Sequence, residues 1–295
     1  MKVLIAGSGS YLASFLIPHL VQNGHEVTCL VRDKKYFLSQ NKFYDIKVLQ
    51  GDLLRKAFIE PFPEDTDVAF YLAGRLIQTT GFAGLEALSA QNFMQALAQT
   101  NCRQLIATCE LNSLTKQHVD DILDGGNAAF TNLRLSMLIG EDSIALRLFD
   151  GLTRNKNIII TSAWANAQIQ PVYIDDVLTY IDGCLLNEAT FNKRLDICGP
   201  EVMSFKQMVY DYLSIFRAGK HHILSLPVLN ANLAAYLANF LAPLNYPEAK
   251  SLLENLKYDS VSRDNRIWDI IPHVCVNFKQ SLIFLHDHTG HTVRA

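Results

Sequence analysis

Short apolar runs alternate with longer stretches of helical periodicity through the first two-thirds of the chain. KVLIAG, residues 2–7, reads as a strand. YLASFLIPHLVQNG follows with its large apolar residues at helical spacing, and Gly24 sits where a helix stop belongs. HEVTCLVR is a second strand, DIKVLQGD ends with a third and DVAFYLAG is a fourth. A helix through LEALSAQNFMQALAQT then leads into a fifth strand, RQLIATC. Strands separated in this way predict a parallel sheet covered by helices on both faces. Right-handed crossovers bring the strand C-termini to one edge, where ligands collect. Beyond residue 125, NLRLSMLIG, NIIITSA, QPVYI and RLDICG are further strands or strand-like links, and from residue 201 the pattern is mainly helical. No internal repeat, low-complexity tract or Pro/Gly/Ser linker interrupts it. The expectation is an α/β protein: a doubly wound parallel Rossmann-type core over residues 1–200, and a smaller, mainly helical C-terminal cap, residues 201–295, packed on that core.

Composition agrees with this. The chain has 295 residues, 49% hydrophobic and 19% charged, as a well-buried globular protein requires. A net charge of −3 without any basic block gives no electrostatic footprint for nucleic acid. The six cysteines are scattered with no C-x-x-C pair, which predicts reduced thiols rather than a zinc cluster or a disulfide framework. The most apolar stretch, LPVLNANLAAYLANFLAPL at residues 226–244, is interrupted by Pro227, Asn230, Asn232, Asn239 and Pro243. It reads as a buried or pocket-roofing helix rather than a membrane span. The opening residues lack the features of a signal peptide, so a cytoplasmic location is expected.

The chemistry concentrates in VLIAGSGSYLAS, residues 3–14. Gly7 supplies the unusual backbone angles of a tight turn, and a helix starting near Tyr11 aims its first N–H groups and the positive end of its dipole into the loop. A pyrophosphate satisfies both, with Ser8 and Ser10 as hydroxyl donors and Gly9 and Leu12 lining the turn. Alone, the loop suits a plain strand–helix turn equally well. Arg32 follows the second strand at about the ~20-residue spacing where an acidic residue would bind the ribose of NAD, and an Arg suits a 2′-phosphate better. Asp52 and Leu53, after the third strand, are placed for adenine.

In order along the chain, VLIAGSGSYLASFLIPHLVQNGHEVTCLVR, VLQGDL, DVAFYLAG, RQLIATC, QPVYIDDV, LDICGPEVMSFKQM and VSRDNRIWDIIP resemble the short-chain dehydrogenase/reductase superfamily. The atypical and extended branch, NmrA-like and epimerase-like, is the nearest in pattern. Within it, NLRLSMLIG, QPVYIDDV, LDICGPEVMSFKQM and VSRDNRIWDIIP resemble one group of NAD(P)-binding proteins that is related to the 39-kDa-type accessory subunit of respiratory complex I. The resemblance implies a G-x-x-G-x-x-G loop on Gly7, Ser10 and Ala13, so the second glycine is Ser and the third Ala. It implies that Arg32 lies near a 2′-phosphate, that Asp52 and Leu53 lie beside adenine, and that Ala73 and Gly74 line the cofactor. Thr108 and Cys109 would flank the nicotinamide end. Active members use Tyr in Y-x-x-x-K with a Ser before it. Here the corresponding stretch is N112-S-L-T-K116, with Lys116 at the family Lys, Asn112 at the Tyr and Thr108 in the Ser region. An amide cannot release a proton near neutral pH, so the usual general acid is missing.

These residues imply NADP(H) as the preferred cofactor, with NAD(H) the alternative. Three roles stay open: a redox sensor or weak oxidoreductase, a reductase or epimerase drawing its acid from elsewhere (Thr108, or a water held by Lys116), and a nucleotide-binding accessory subunit. Substrate, partners and oligomeric state are not specified. His221-His222 reads as a solvated pair, HDHTGH at residues 286–291 as a frayed tail, Asp175-Asp176 as a helix cap, and Cys109 as a buried hydrophobe.

Overall fold

The computed structural model describes residues 1–40, 45–72, 83–111, 117–153, 158–161, 166–217, 222–225 and 258–288. Its centre is a seven-stranded sheet built from β1 (Lys2–Ala6), β2 (Glu26–Val31), β3 (Ile46–Gln50), β4 (Val68–Tyr71), β5 (Gln104–Glu110), β6 (Ala129–Leu135) and β11 (Lys193–Ile197). Their spatial order is β11-β6-β5-β4-β1-β2-β3. The pairs β1–β2, β2–β3, β1–β4 and β4–β5 are parallel. This is the α/β Rossmann-type architecture expected from the alternating pattern. The order reverses between β1 and β4, and that switch point is where open parallel sheets bind ligands.

The strands are apolar because both faces are covered. One face carries Leu4, Ala69, Tyr71, Leu105 and Ala107 against Phe93, Leu97, Val119 and Leu123, which belong to α3 (Ala83–Leu97) and α4 (Gln117–Asp124). Burying Phe93 completely contributes about 2–3 kcal/mol of transfer free energy. α1 (Tyr11–Gln22) packs Leu12, Ala13, Leu16, Ile17 and Leu20 inward. It is joined to α6 (Ile174–Cys184) by His19, whose Nε2 lies 2.7 Å from Asp182 Oδ2. Gly24 ends α1 as anticipated: its φ is +76°, and the N–H groups of Gly24 and His25 cap the carbonyls of Val21 and Leu20.

The chain divides into two compact units. The first comprises Met1–Arg134, Leu178–Asp196 and Asp264–Pro272; the second comprises Leu135–Val177, Ile197–Arg263 and His273–Ala295. One of the junctions between them falls at Asp196/Ile197, and the second unit also draws on Leu135–Val177. Within it, β7 (Leu138–Ile139) pairs with β10 (Val172–Tyr173), β8 (Ile158–Thr161) with β13 (His222–Ser225), and β9 (Gln168–Ile169) with β12 (Met203–Ser204). Its apolar centre gathers the rings of Phe149 from α5 (Ile144–Thr153), Phe205 and Tyr212 from α7 (Phe205–Phe216), and Phe278, which opens the helix Phe278–His288. Among the described residues, no helix is long and apolar enough to cross a membrane. The 226–244 stretch lies outside them.

Candidate functional site

Three strand ends converge on one edge of the sheet. After β1, Gly7 has a φ of +87°, a region that residues with a Cβ adopt only under strain. The Ser10 N–H donates to the Gly7 carbonyl (2.9 Å) and closes the turn. Ser10 is then the N-cap of α1, its Oγ accepting from the Ala13 N–H at 3.2 Å. The helix start aims its N–H groups and dipole back into the loop. A Cβ placed on Gly9 would meet nothing within 4 Å, so the loop is open on that side. Ala13 is fully buried, and its small side chain keeps α1 close to the sheet.

The serine hydroxyls differ from expectation. Ser8 is 5% exposed, and its hydroxyl donates inward to the Ile5 carbonyl at 2.9 Å, so the donor anticipated for a phosphate is turned into the protein. The Ser10 cap uses an oxygen lone pair and leaves the O–H as a donor.

At the ends of β2 and β3, Arg32, Gln50, Gly51, Asp52, Arg55, Phe58 and Glu60 line a cleft of about 370 Å³. Two guanidinium groups border it. Asp52 Oδ1 accepts from the Leu54 N–H at 3.0 Å and Oδ2 lies 3.6 Å from Arg55 Nε, which holds the carboxylate over the strand end. Glu60 Oε2 accepts from the Gln50 N–H at 3.0 Å. Asp33, next to Arg32, is occupied otherwise: its Oδ1 accepts from the Tyr36 N–H (2.9 Å) at the start of α2 (Lys34–Gln40). The Leu53 carbonyl accepts from Asn92 Nδ2 at 2.7 Å, tying this loop to α3.

At the end of β5, Thr108 and Cys109 point to opposite faces by strand alternation. Cys109 lies on the face of Leu105 and Ala107. Its Sγ donates to Asn132 Oδ1 (3.4 Å), and Asn132 Nδ2 donates to Asp120 Oδ2 (2.7 Å). Asn132, on β6, is fully buried. Cys109 is therefore half-buried and hydrogen-bonded rather than a plain hydrophobe. Tyr71 offers no substitute acid, because burial pushes its hydroxyl up to about 12 while it donates to Ser89 Oγ at 3.0 Å.

No protein-family model matches the chain, and no curated protein matches it in sequence. Solved structures match over nearly its whole length. UDP-glucuronic acid 4-epimerase from Bacillus cereus, in complex with UDP-glucuronic acid and NAD, is 13% identical with a TM-score of 0.70, over 98% of this chain and 99% of that one. The Citrobacter sp. triphenylmethane reductase complexed with NADP(H) is 14% identical with a TM-score of 0.73, over 97% and 100%. The Bordetella bronchiseptica enzyme WbmG, in complex with NAD and UDP, is 13% identical with a TM-score of 0.68, over 98% and 96%. What these matches share with the chain is the fold, an α/β Rossmann-type architecture.

The structure places Gly7, Ser8, Gly9, Ser10, Tyr11 and Leu12 at the loop and start of α1, and Arg32, Asp52 and Leu53 at the neighbouring strand ends. Ala73, Gly74, Asn112 and Lys116 lie outside the described residues. Sequence reading missed Arg55, Asn92 and Asn132. Arg55 had the signal of a second cation three residues after Asp52, whereas the other two are ordinary polar residues in otherwise apolar elements. Asp175 and Asp176 do not cap a helix: they lie within the first turn of α6. Asp176 instead receives the Val276 N–H at 2.9 Å and faces His273 Nε2 at 2.6 Å. His221 is outside the described residues, His222 is exposed on β13, and His286 and His288 belong to the last turn of Phe278–His288 rather than to a frayed tail.

Proposed function

We propose that the chain binds a nicotinamide dinucleotide, NADP(H) in preference to NAD(H), and acts as a redox sensor or weak oxidoreductase. The observation that carries this reading is the cleft bordered by Arg32 and Arg55, on the same sheet edge as the Gly7 loop. A 2′-phosphate is a dianion with fork-accepting oxygens, which guanidinium groups match. The carboxylate nearest in sequence, Asp33, spends its Oδ1 on the Tyr36 N–H at the start of α2. Gly7, Gly9 and the N–H groups opening α1 would take the pyrophosphate, with the Ser10 hydroxyl beside it and Tyr11 and Leu12 flanking. Asp52 and Leu53 would take the adenine, and Ala73 and Gly74 the middle of the cofactor. The solved neighbours with NAD or NADP(H) bound support a dinucleotide of either kind. The cofactor supplies hydride transfer when bound. The chain's residues bind and orient it, and Asn112 and Lys116 can orient a carbonyl without the amide giving up a proton.

A thermal-shift comparison tests this. NADPH should raise the Tm more than NADH, and Arg32→Ala should weaken NADPH binding roughly 10- to 100-fold, the worth of a charged hydrogen bond, with NADH unaffected. Equal shifts with the two nucleotides would remove the NADP(H) preference, and no shift with either would remove the dinucleotide.

A second reading, a reductase or epimerase with a non-Tyr acid, is favoured by the Cys109–Asn132–Asp120 chain of hydrogen bonds beneath the end of β5. It expects turnover on a carbonyl or nucleotide-sugar panel that is lost in Lys116→Ala and reduced in Asp120→Asn.

A further inference from the structure

Away from the strand ends, Asp176, His273 and Cys275 bring three different donor atoms within 4.8 Å of one another, all inside the second unit. We propose that these three side chains form a binding site for a divalent transition metal, zinc by its donor chemistry. The local chain explains why they meet. Residues 273–277 have no regular secondary structure, and His273 and Val276 hydrogen-bond Asp176 in the first turn of α6. Alternate residues of an extended segment share a side, so His273 and Cys275 face Asp176 together, while Val274 between them is 92% exposed.

The carboxylate is already placed as a metal ligand needs to be. Asp176 is 3% exposed, and a buried carboxylate must be compensated. Its Oδ2 is fixed by the Val276 N–H at 2.9 Å, which leaves Oδ1 aimed at the His273 ring. A backbone N–H on the second oxygen orients a carboxylate ligand from the outer shell. Imidazole nitrogen, thiolate sulfur and carboxylate oxygen together are the borderline donor set that zinc accepts. Around tetrahedral zinc, with bonds near ~2.0–2.3 Å, donors stand roughly 3.3–3.8 Å apart, so the cluster needs to contract by about 1 Å. Binding exchanges the direct His273–Asp176 hydrogen bond for two metal bonds: the Nε2 proton leaves to solvent and the ring ligates as the tautomer protonated on Nδ1, and the Cys275 thiol gives its proton to solvent as it becomes thiolate. Three protein donors leave the fourth position to water, the pattern of an open rather than a closed site.

The test uses the full chain purified metal-free, with Co²⁺ as a spectroscopic probe and Zn²⁺ as competitor. One Co²⁺ per chain should bind with a sulfur-to-metal charge-transfer band in the near-ultraviolet, and Zn²⁺ should displace it and raise the Tm. Cys275→Ser should abolish the band and weaken Zn²⁺ binding at least tenfold. Its metal-free Tm should fall less than that of His273→Gln, because the His273 ring faces the buried Asp176 carboxylate at 2.6 Å. His273→Gln should weaken binding to a similar degree. Co²⁺ binding without the sulfur band would overturn the proposal. Zn²⁺ binding that is equal in the wild type and Cys275→Ser would overturn it too, since the ligands would then lie elsewhere, for example at His286, His288 and His291.

Discussion

Ser10 is the residue on which the candidate site turns. It stands where the resemblance puts a glycine, and it performs a local task by capping α1 through the Ala13 N–H. The two demands separate by substitution. Ser10→Ala should cost about 1 kcal/mol of stability through the lost cap, and Ser10→Gly only a few tenths, because glycine is itself tolerated at that position. If the Cβ restrains the pyrophosphate, Ser10→Gly binds NADPH more tightly than the wild type while Ser10→Ala does not. Urea denaturation and nucleotide titration of both variants check this. The cysteines give a second expectation. Burial pushes the thiols of Cys29 and Cys184 up to about 12 and that of Cys102 up to about 11. A thiol reagent applied to the native protein near neutral pH should therefore spare Cys29, Cys184 and the buried Cys198, reaching all six only after denaturation. The scattered spacing of the cysteines was enough to read them as reduced. Which of them react was not legible, because that depends on neighbours far away in sequence.

The elements of the first unit were the most legible, since strands buried on both faces write themselves as continuous apolar runs. The pattern fails where a run changes partners. NLRLSMLIG reads as one strand, yet it divides into β6 in the large sheet and β7 beside β10. At the break the Ser136 N–H goes to the Ile197 carbonyl, and the Met137 carbonyl accepts from the Val172 N–H. Hydrophobicity records that a strand is buried but not which strand it lies against. The short helix Arg266–Ile270 carries a prediction of its own. The Arg266 guanidinium hydrogen-bonds Asp264 through Nε and Nη2 and holds its carboxyl below the ordinary value of 3.8, with the Arg266 backbone N–H and the Arg134 charge adding to the effect. A depressed carboxylate contributes stability that is present above the unfolded value and lost as pH falls through the folded one. Arg266 is 57% exposed, so solvent screens the pair and its worth is at most about 1 kcal/mol. Asp264→Asn should lose that much at pH 7 and nothing at pH 2, as followed by denaturation at the two pH values.

For the whole molecule, the parallel Rossmann-type sheet followed from alternation, whereas the order of its strands and the division into units did not. A sequence split near residue 200 assumes that each unit is one stretch, and here each is made of three. The core also sets an alkaline limit. Cys29, Cys184 and Tyr71 keep their protons to about 12 in the folded chain, mainly through burial, against ordinary values of 9.0, 9.0 and 10.0. The unfolded chain loses those protons first, so stability should be complete below about pH 9 and fall steadily as pH rises toward 12, visible as a declining midpoint in denaturant. The three-part build of each unit bears on synthesis as well. A ribosome delivers residues in order, and domains ordinarily complete themselves from the N-terminus as they emerge. Here the first unit waits for Asp264–Pro272 and the second for the segment that begins at His273. A nascent chain stalled at residue 250 would have neither unit finished, and would need shelter until its last few dozen residues appear.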